Sequence, residues 1–492
     1  MTVNEVNSVP WQSAGTAACH LLIIETNGNQ AYIFGTRRQQ ENVGASYLTK
    51  QLPVWVERAC AENGAVPLLL TSGKAIAVAR RREEAEAVIT ATTLRALEQA
   101  PGLDVSGAVL AVEPAGLTDD IASAQAVRDL HRELAVYNDH RPAPAARFAQ
   151  LPFVRVCPTS GLPADAELDP SRLGDQFVSR TSLAKRRAAA EGRRELIQLL
   201  AGGGFDAAET GVYFPDLAKL DAALNGDPAQ PAEVAADPDV LGVTDELARV
   251  GIIHAYGNGI GRLFTEVHLH LGDYRAPESA VAEARGVIGT TPPRSWLFMG
   301  EVSRALDHAT RTAYVAAARQ VSSAYRREAG GRGVHAGIVP IVPILLGADD
   351  TTVLVAGRYA MIFAVAFLEG FEAATARDPL LSPLGLTAAA GVAIVRRTFP
   401  FHLGYQLAEA LCSSAKPASR TRSLVDFHIH RGEADIDLAS PDPPTGRRLG
   451  PCDPADWRAA VEQAARSTGA GPAYRELREV LPVSYLSAAG VP

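Results

Sequence analysis

The sequence predicts an α+β protein made of two related units, a small intervening domain and a C-terminal tail. Three observations carry this reading. The order strand, helix, hairpin, helix, strand occurs once in the first 145 residues and again between residues 241 and 432. The two runs lie too far apart for a solenoid repeat. Between them sits a Pro-marked break at Pro142 and Pro144, followed by a basic stretch and a Pro/Ala/Asp-rich segment over residues 226–239.

Each element has its local reason. After a loose leader (residues 1–18), His20–Ile24 is an apolar strand ending in Glu25-Thr26-Asn27-Gly28-Asn29-Gln30, and a helical stretch is expected from Ala31 to about Arg58. Leu68–Leu70 and Ile76–Val78 flank Thr71-Ser72-Gly73-Lys74 and read as a hairpin. A charged helix over Arg80–Gln99, a strand at Ala108–Val112 and a helix over Ile121–Tyr137 complete a ferredoxin-like, palm-type unit. In the second unit Val250–Ala255 is a strand and Gly257-Asn258-Gly259-Ile260-Gly261 a turn into a helix. Trp296–Arg327 is a long amphipathic helix. Ile341–Val355 reads as apolar strand, polar turn, apolar strand. A helix over Tyr359–Arg377, a strand at Ala388–Val395, a helix over Leu403–Ser414 and a strand over Leu424–Ile429 follow. The expected boundaries are 18–145 for the first unit, 146–240 for the basic region and linker, 241–432 for the second unit and 433–492 for the tail.

Composition narrows the classes. The chain has 492 residues, 47% hydrophobic and 21% charged, as in soluble globular proteins. No run of 18 apolar residues and no basic-then-apolar leader occurs, so a cytoplasmic protein without a membrane partner is expected. The five cysteines are scattered, without a CxxC pair, which argues against a disulfide framework or a cysteine-rich zinc knuckle. A net charge of −8 argues against strong independent nucleic-acid binding by the chain as a whole.

The chemistry is expected in the second unit. Its hairpin puts two adjacent carboxylates, Asp349 and Asp350, on the turn after Gly347, close enough to share a divalent cation. On a shared antiparallel sheet the end of the first strand lies beside that hairpin. Gly257, Asn258 and Gly259 therefore fall next to the carboxylates, where glycine backbone N–H groups can approach a phosphate. Carboxylates at one edge and N–H donors at the other suit a metal-bound nucleoside triphosphate. An Asp-rich turn is also an ordinary structural feature, since Asp favours turns for local backbone reasons.

These segments resemble a known family. The stretch from His254 to Gly261, the Gly347-Ala348-Asp349-Asp350 hairpin and the segment from Phe399-Pro400 to Ala415-Lys416 are similar to the second palm of the large polymerase-like subunit of type III CRISPR effector complexes. That family is related to GGDEF and class III nucleotide cyclases. Glu25–Phe34 and Glu41–Ser46 resemble its first palm, and Cys157–Ala164 its intervening region. The resemblance spans roughly residues 18–432. It implies ATP as substrate or ligand, magnesium or manganese on Asp349 and Asp350, and synthesis of cyclic or linear oligoadenylates in antiviral defence. It further implies Gly257, Asn258 and Gly259 along the phosphate or ribose, Lys416 at the triphosphate, and other effector subunits with guide and target RNA as partners.

Three departures bear on activity. Tyr256 stands where the family has Asp before Gly-Asn-Gly, and a phenol with a pKa near 10 is a poor ligand for magnesium. His254, on the same strand face, is no substitute, because imidazole does not favour that ion. Ala348 replaces a turn glycine, and Pro340 and Pro343 remove ladder donors from a strand expected to be central. The expectation is nucleotide binding with weak or absent turnover. A degenerate palm scaffold or nucleotide sensor is the rival, and a free-standing cyclase making cyclic dinucleotides a third possibility. The first hairpin carries no carboxylates, and its Ser-Gly-Lys lacks the first glycine of a Walker A loop, so that unit is expected to be structural. No His is immediately followed by an Asp, and little chain lies ahead of residue 20, so DNA cleavage is not expected. His268 and His270, with Asp273 nearby, have the spacing to bind a transition metal from one strand face, with a partly exposed strand as the expectation. His428 and His430 repeat the spacing. The basic run Arg180–Arg194 is expected on a solvated helix, with RNA or a partner as the alternative.

Overall fold

The computed structural model describes residues 18–36, 38–117, 119–142, 153–164, 166–167, 177–203, 249–329, 341–348, 350–396, 399–418, 421–430, 446–448 and 452–459. Asp349, Pro144, Pro340, the leader through residue 17, the 226–239 segment and most of the tail lie outside them.

The first sheet is built from β1 (Cys19–Asn27), β2 (Val66–Leu70), β3 (Lys74–Ala79) and β4 (Asp104–Val112), in the order β2-β3-β1-β4. β1 is central and antiparallel to both neighbours. Its alternate side chains enter two different cores, which is why it reads as a continuous apolar run. The expected single helix after β1 is instead three: α1 (Asn29–Phe34), α2 (Gln39–Thr49) and α3 (Leu52–Asn63). Gly35 ends the first, and Pro53 opens the third where a missing N–H costs nothing. α4 (Arg82–Gln99) joins β3 to β4, and α5 (Asp120–His140) follows, capped by the Asp119 carboxylate on two backbone N–H groups.

A short ribbon of β5 (Ala166–Glu167) and β6 (Phe177–Val178) precedes α6 (Arg180–Gly202). The basic run on α6 is only partly solvated. Lys185 and Arg186 turn inward because α6 packs closely on α2: a Cβ on Gly44 would lie 1.7 Å from the Lys185 carbonyl oxygen. Arg186 pairs with the fully buried Glu41 at 2.8 Å, and Lys185 donates to the Tyr32 carbonyl. Arg180, Arg187 and Arg194 remain exposed.

The second sheet has the same plan, extended. β7 (Arg249–Gly257) leads to α7 (Ile260–Thr265), α8 (Glu278–Ile288) and α9 (Arg294–Ala329), then to β8 (Ile341–Leu346) and β9 (Asp350–Ala356). α10 (Ala360–Arg377), β10 (Ala388–Arg396), α11 (Phe401–Ala418), β11 (Leu424–His430) and β12 (Gly446–Arg448) complete it. The order β12-β11-β10-β7-β9-β8 contains the first sheet's order, with β8 in the place of β2. β8 is thus an edge strand, not a central one. Pro343 is accommodated there, beside a register shift between Pro343 and Leu345. His268 lies in a 3-10 turn, Val267–Leu269, with His270 just after it, and not on a strand. α10, with the turn before it, is long and apolar enough to cross a membrane, yet most of it is buried, packed on α9 and on this sheet.

The units clasp each other. One core joins Leu21, Ile23 and Ile76 of the first sheet to Trp296, Phe298 and Val302 of α9. The other joins Leu22, Tyr32 and Phe34 to Val250, Ile252, Ile344 and Tyr405. α9 crosses the first sheet so closely that a Cβ on Gly300 would lie 2.4 Å from the Leu68 carbonyl oxygen. Trp296 Nε1 donates to the Ser123 carbonyl at 3.2 Å, and Arg294 pairs with Asp120 at 3.0 Å. Each sheet therefore buries one face under helices of the other unit.

Candidate nucleotide site

The strand register brings most of the expected residues to one sheet edge. Tyr256 lies directly across from Asp350 on β9 and Ala389 on β10. Side chains alternate along β7, so Ile253 and Ala255 enter one core while Val250 and Ile252 enter the other, with His254 and Tyr256 on their side. His254 Nδ1 lies 3.1 Å from Thr352 Oγ1 and 3.4 Å from Asp350 Oδ1. Burial pushes the His254 imidazole down to about 4, with the Lys416 ammonium acting in the same direction. The ring is neutral at pH 7. The nearby carboxylate favours the tautomer with its proton on Nδ1.

Lys416, on the last turn of α11, holds its Nζ over the Tyr256 ring, 3.9 Å from the centroid. Among the described residues it forms no ion pair. α11 presents Tyr405, Glu409, Cys412 and Lys416 at helical spacing to this edge. Cys412 Sγ donates to the Ala389 carbonyl at 3.4 Å, and its thiol is pushed up to about 12, chiefly by burial. Burial also raises Tyr405, and the Asp350 and Glu409 carboxylates add to the effect. Glu409 accepts from Gln30 of α1 at 2.7 Å, and Tyr405 stacks on Phe34 at 4.0 Å, so the first unit walls one side. Gln30, Tyr405 and Glu409 were not singled out from sequence. The i, i+4, i+7, i+11 spacing from Tyr405 to Lys416 was the available signal.

The glycine turn follows Tyr256 at once. Asn258 N–H donates to the Thr387 carbonyl at 2.8 Å and its side-chain amide to Thr387 Oγ1 at 3.0 Å, which fixes the turn to the start of β10. Gly259 has φ +73° and caps α7, and no atom lies within 4 Å of a Cβ built there. The backbone is open to a ligand, although a six-residue helix adds little dipole. Gly28 caps α1 in the same left-handed conformation, φ +62°, the counterpart in the first unit. The hairpin closes through the Gly347 N–H to the Asp350 carbonyl at 2.7 Å, and the Ala348 carbonyl accepts from Thr310 at 2.6 Å. The Gly347 Cβ position lies 3.3 Å from Ser72 Oγ, so the two hairpin tips meet. The first tip is self-contained: Lys74 N–H donates to Thr71 Oγ1 at 3.0 Å, and Lys74 pairs with Glu25 at 3.3 Å. Clefts of about 490 Å³ beside Thr387, Arg422 and Asp453 and about 360 Å³ beside Ser72, Ala348 and Arg311 flank the edge, both of ligand-binding size.

The remaining sequence candidates lie elsewhere. Among the described residues no three His, Cys, Asp or Glu side chains form a metal-binding group. His428 and His430 are buried along one face of β11, with ring centroids 6.3 Å apart. Cys157 lies in a hydroxyl cluster with Thr159 and Ser182 at 3.3 and 3.5 Å. Across from Asp350 stands a phenol and over that phenol a lysine cation, so among the described residues the strand pair offers a divalent ion one carboxylate; Asp349, the other expected ligand, lies outside them.

The fold and this edge define a two-unit palm-type α+β protein. No protein-family model and no curated protein matches the sequence. Solved structures do match. A chain of the Csm1–Csm4 cassette in complex with cA4 aligns with a TM-score of 0.50 and 13% identity, over 91% of this chain and 58% of that one. Csm1 of T. onnurineus gives 0.48 and 14%, over 92% and 57%. The Csm1–Csm4 subcomplex of the type III-A CRISPR-Csm interference complex gives 0.47 and 13%, over 82% and 54%. The first of these shows that the chain shares the fold of a chain of the Csm1–Csm4 cassette, and the chain spans less than two-thirds of the length of each of the three.

Proposed function

We propose that the chain is a nucleotide-binding palm protein of a type III CRISPR-like effector, binding ATP or a close relative at the β7–β9–α11 edge. The observation that carries this is the convergence of two features on one edge: the open Gly257–Gly259 turn and the Lys416 ammonium. The cA4-bound cassette, which shares the fold, supports an adenine-nucleotide class of ligand and a second effector subunit as partner. Guide and target RNA would then be met within the complex, since the chain's acidic charge disfavours strong binding alone.

Oligoadenylate synthesis requires activation of a 3′-hydroxyl and stabilisation of a triphosphate leaving group, usually by two carboxylate-held metal ions. Tyr256 removes one carboxylate from the strand pair. Binding with little turnover is therefore the reading, in which this unit senses nucleotide or supports a complex. Labelled ATP binding by equilibrium dialysis tests it, with Lys416→Ala and Gly259→Val alongside. Saturable binding lost in both variants is expected. Equal retention by wild type and variants would refute the site, and absence of binding by wild type would refute the function.

A further inference from the structure

The cation at this edge is already supplied by the chain. β7 and β9 are adjacent and Tyr256 and Asp350 are register partners, so Tyr256 occupies the strand position from which a second carboxylate would face Asp350. The Lys416 ammonium sits 3.9 Å over that ring, where the electron-rich face holds it. α11 fixes its position through Tyr405 on Phe34 and Cys412 on the Ala389 carbonyl. Among the described residues, a divalent ion entering here would meet the Asp350 carboxylate with none across from it at position 256, and the repulsion of an ammonium.

We propose that Lys416, positioned by the Tyr256 ring, takes the place of the divalent metal and binds the triphosphate directly, making nucleotide binding independent of divalent cations. This inference rests on the nucleotide-site reading above and deepens it. Tyr256 is then a positioning residue: its ring face keeps the flexible lysine at the edge of the sheet. Asp350 is close to the phosphates in this arrangement and opposes them, whereas in a metal site it would be indispensable. The neutral His254 adds no charge of either sign.

The experiment measures ATP affinity of the full chain by calorimetry in magnesium, in manganese and in excess EDTA, with inorganic tripolyphosphate as competitor. Wild type is expected to bind ATP within about threefold under all three conditions, a difference under about 1 kcal/mol. Lys416→Met is expected to weaken binding about tenfold or more in each, Tyr256→Leu to weaken it, and Tyr256→Phe to retain it. Asp350→Asn is expected to bind ATP at least as tightly as wild type. Tripolyphosphate is expected to compete in EDTA. Binding of wild type only with magnesium or manganese, together with its loss in Asp350→Asn, would overturn the lysine site while leaving the nucleotide function standing. Failure of wild type to bind under any condition would overturn both.

Discussion

His254 is buried at this edge as a neutral ring, and that state has a measurable consequence for folding. The imidazole is buried and held at about 4, below its ordinary 6.5. The unfolded chain therefore takes up a proton before the folded one does. Stability contributed by this group is fully present above about pH 6.5 and is lost as pH falls through 4. The whole difference is worth about 3 kcal/mol, of which about 2 kcal/mol is lost between about pH 7 and pH 5. Urea unfolding of wild type and His254→Gln across that range isolates the contribution from carboxylate titrations elsewhere. The glutamine retains a hydrogen-bonding group for Thr352 and does not titrate. Its stability is expected to fall less on acidification, by about 2 kcal/mol. NMR of the His254 ring is expected to show a flat shift down to about pH 5. The 3.4 Å approach of Nδ1 to Asp350 pulls in the opposite sense. If that ion pair outweighed burial and Lys416, the pKa would lie above 6.5 and the wild type would gain stability relative to the variant at acid pH. That result would refute the reasoning.

Three further outcomes follow from the packing. Glu41→Gln breaks the ion pair between a fully buried carboxylate and the largely buried Arg186 and is expected to cost about 3 kcal/mol, read by urea unfolding. Gly300→Ala drives a methyl against the Leu68 carbonyl where the units clasp, and a loss of about 1–3 kcal/mol is expected in thermal or denaturant unfolding. Lys185, buried and lowered to about 8, opposes folding below that pH. Stability is expected to rise between about pH 8 and pH 10, and that rise to disappear in Lys185→Met.

Much of the candidate site was legible because it depends on local pattern. The apolar run ending at Gly257, the glycine turn and the Gly347–Asp350 hairpin each announce their geometry in a few residues, and antiparallel register places Tyr256 opposite Asp350. Gln30, Tyr405 and Glu409 were not legible in the same way. They meet only when α1 of one unit packs on α11 of the other, hundreds of residues apart.

The sequence by itself determined the principal strands and hairpins of the two units, their repeat and the absence of a carboxylate at position 256, since these follow from side-chain periodicity, turn chemistry and identity. Tertiary structure decided which strand is an edge, which basic residues of α6 are buried, and where the Lys416 ammonium rests. Those outcomes depend on distances between elements that no local pattern encodes. Pro343 is tolerated because, among the described residues, β8 has a neighbour on one side only. Lys185 is buried because Gly44 lets two helices touch, and Lys416 finds Tyr256 because α11 crosses the sheet above it.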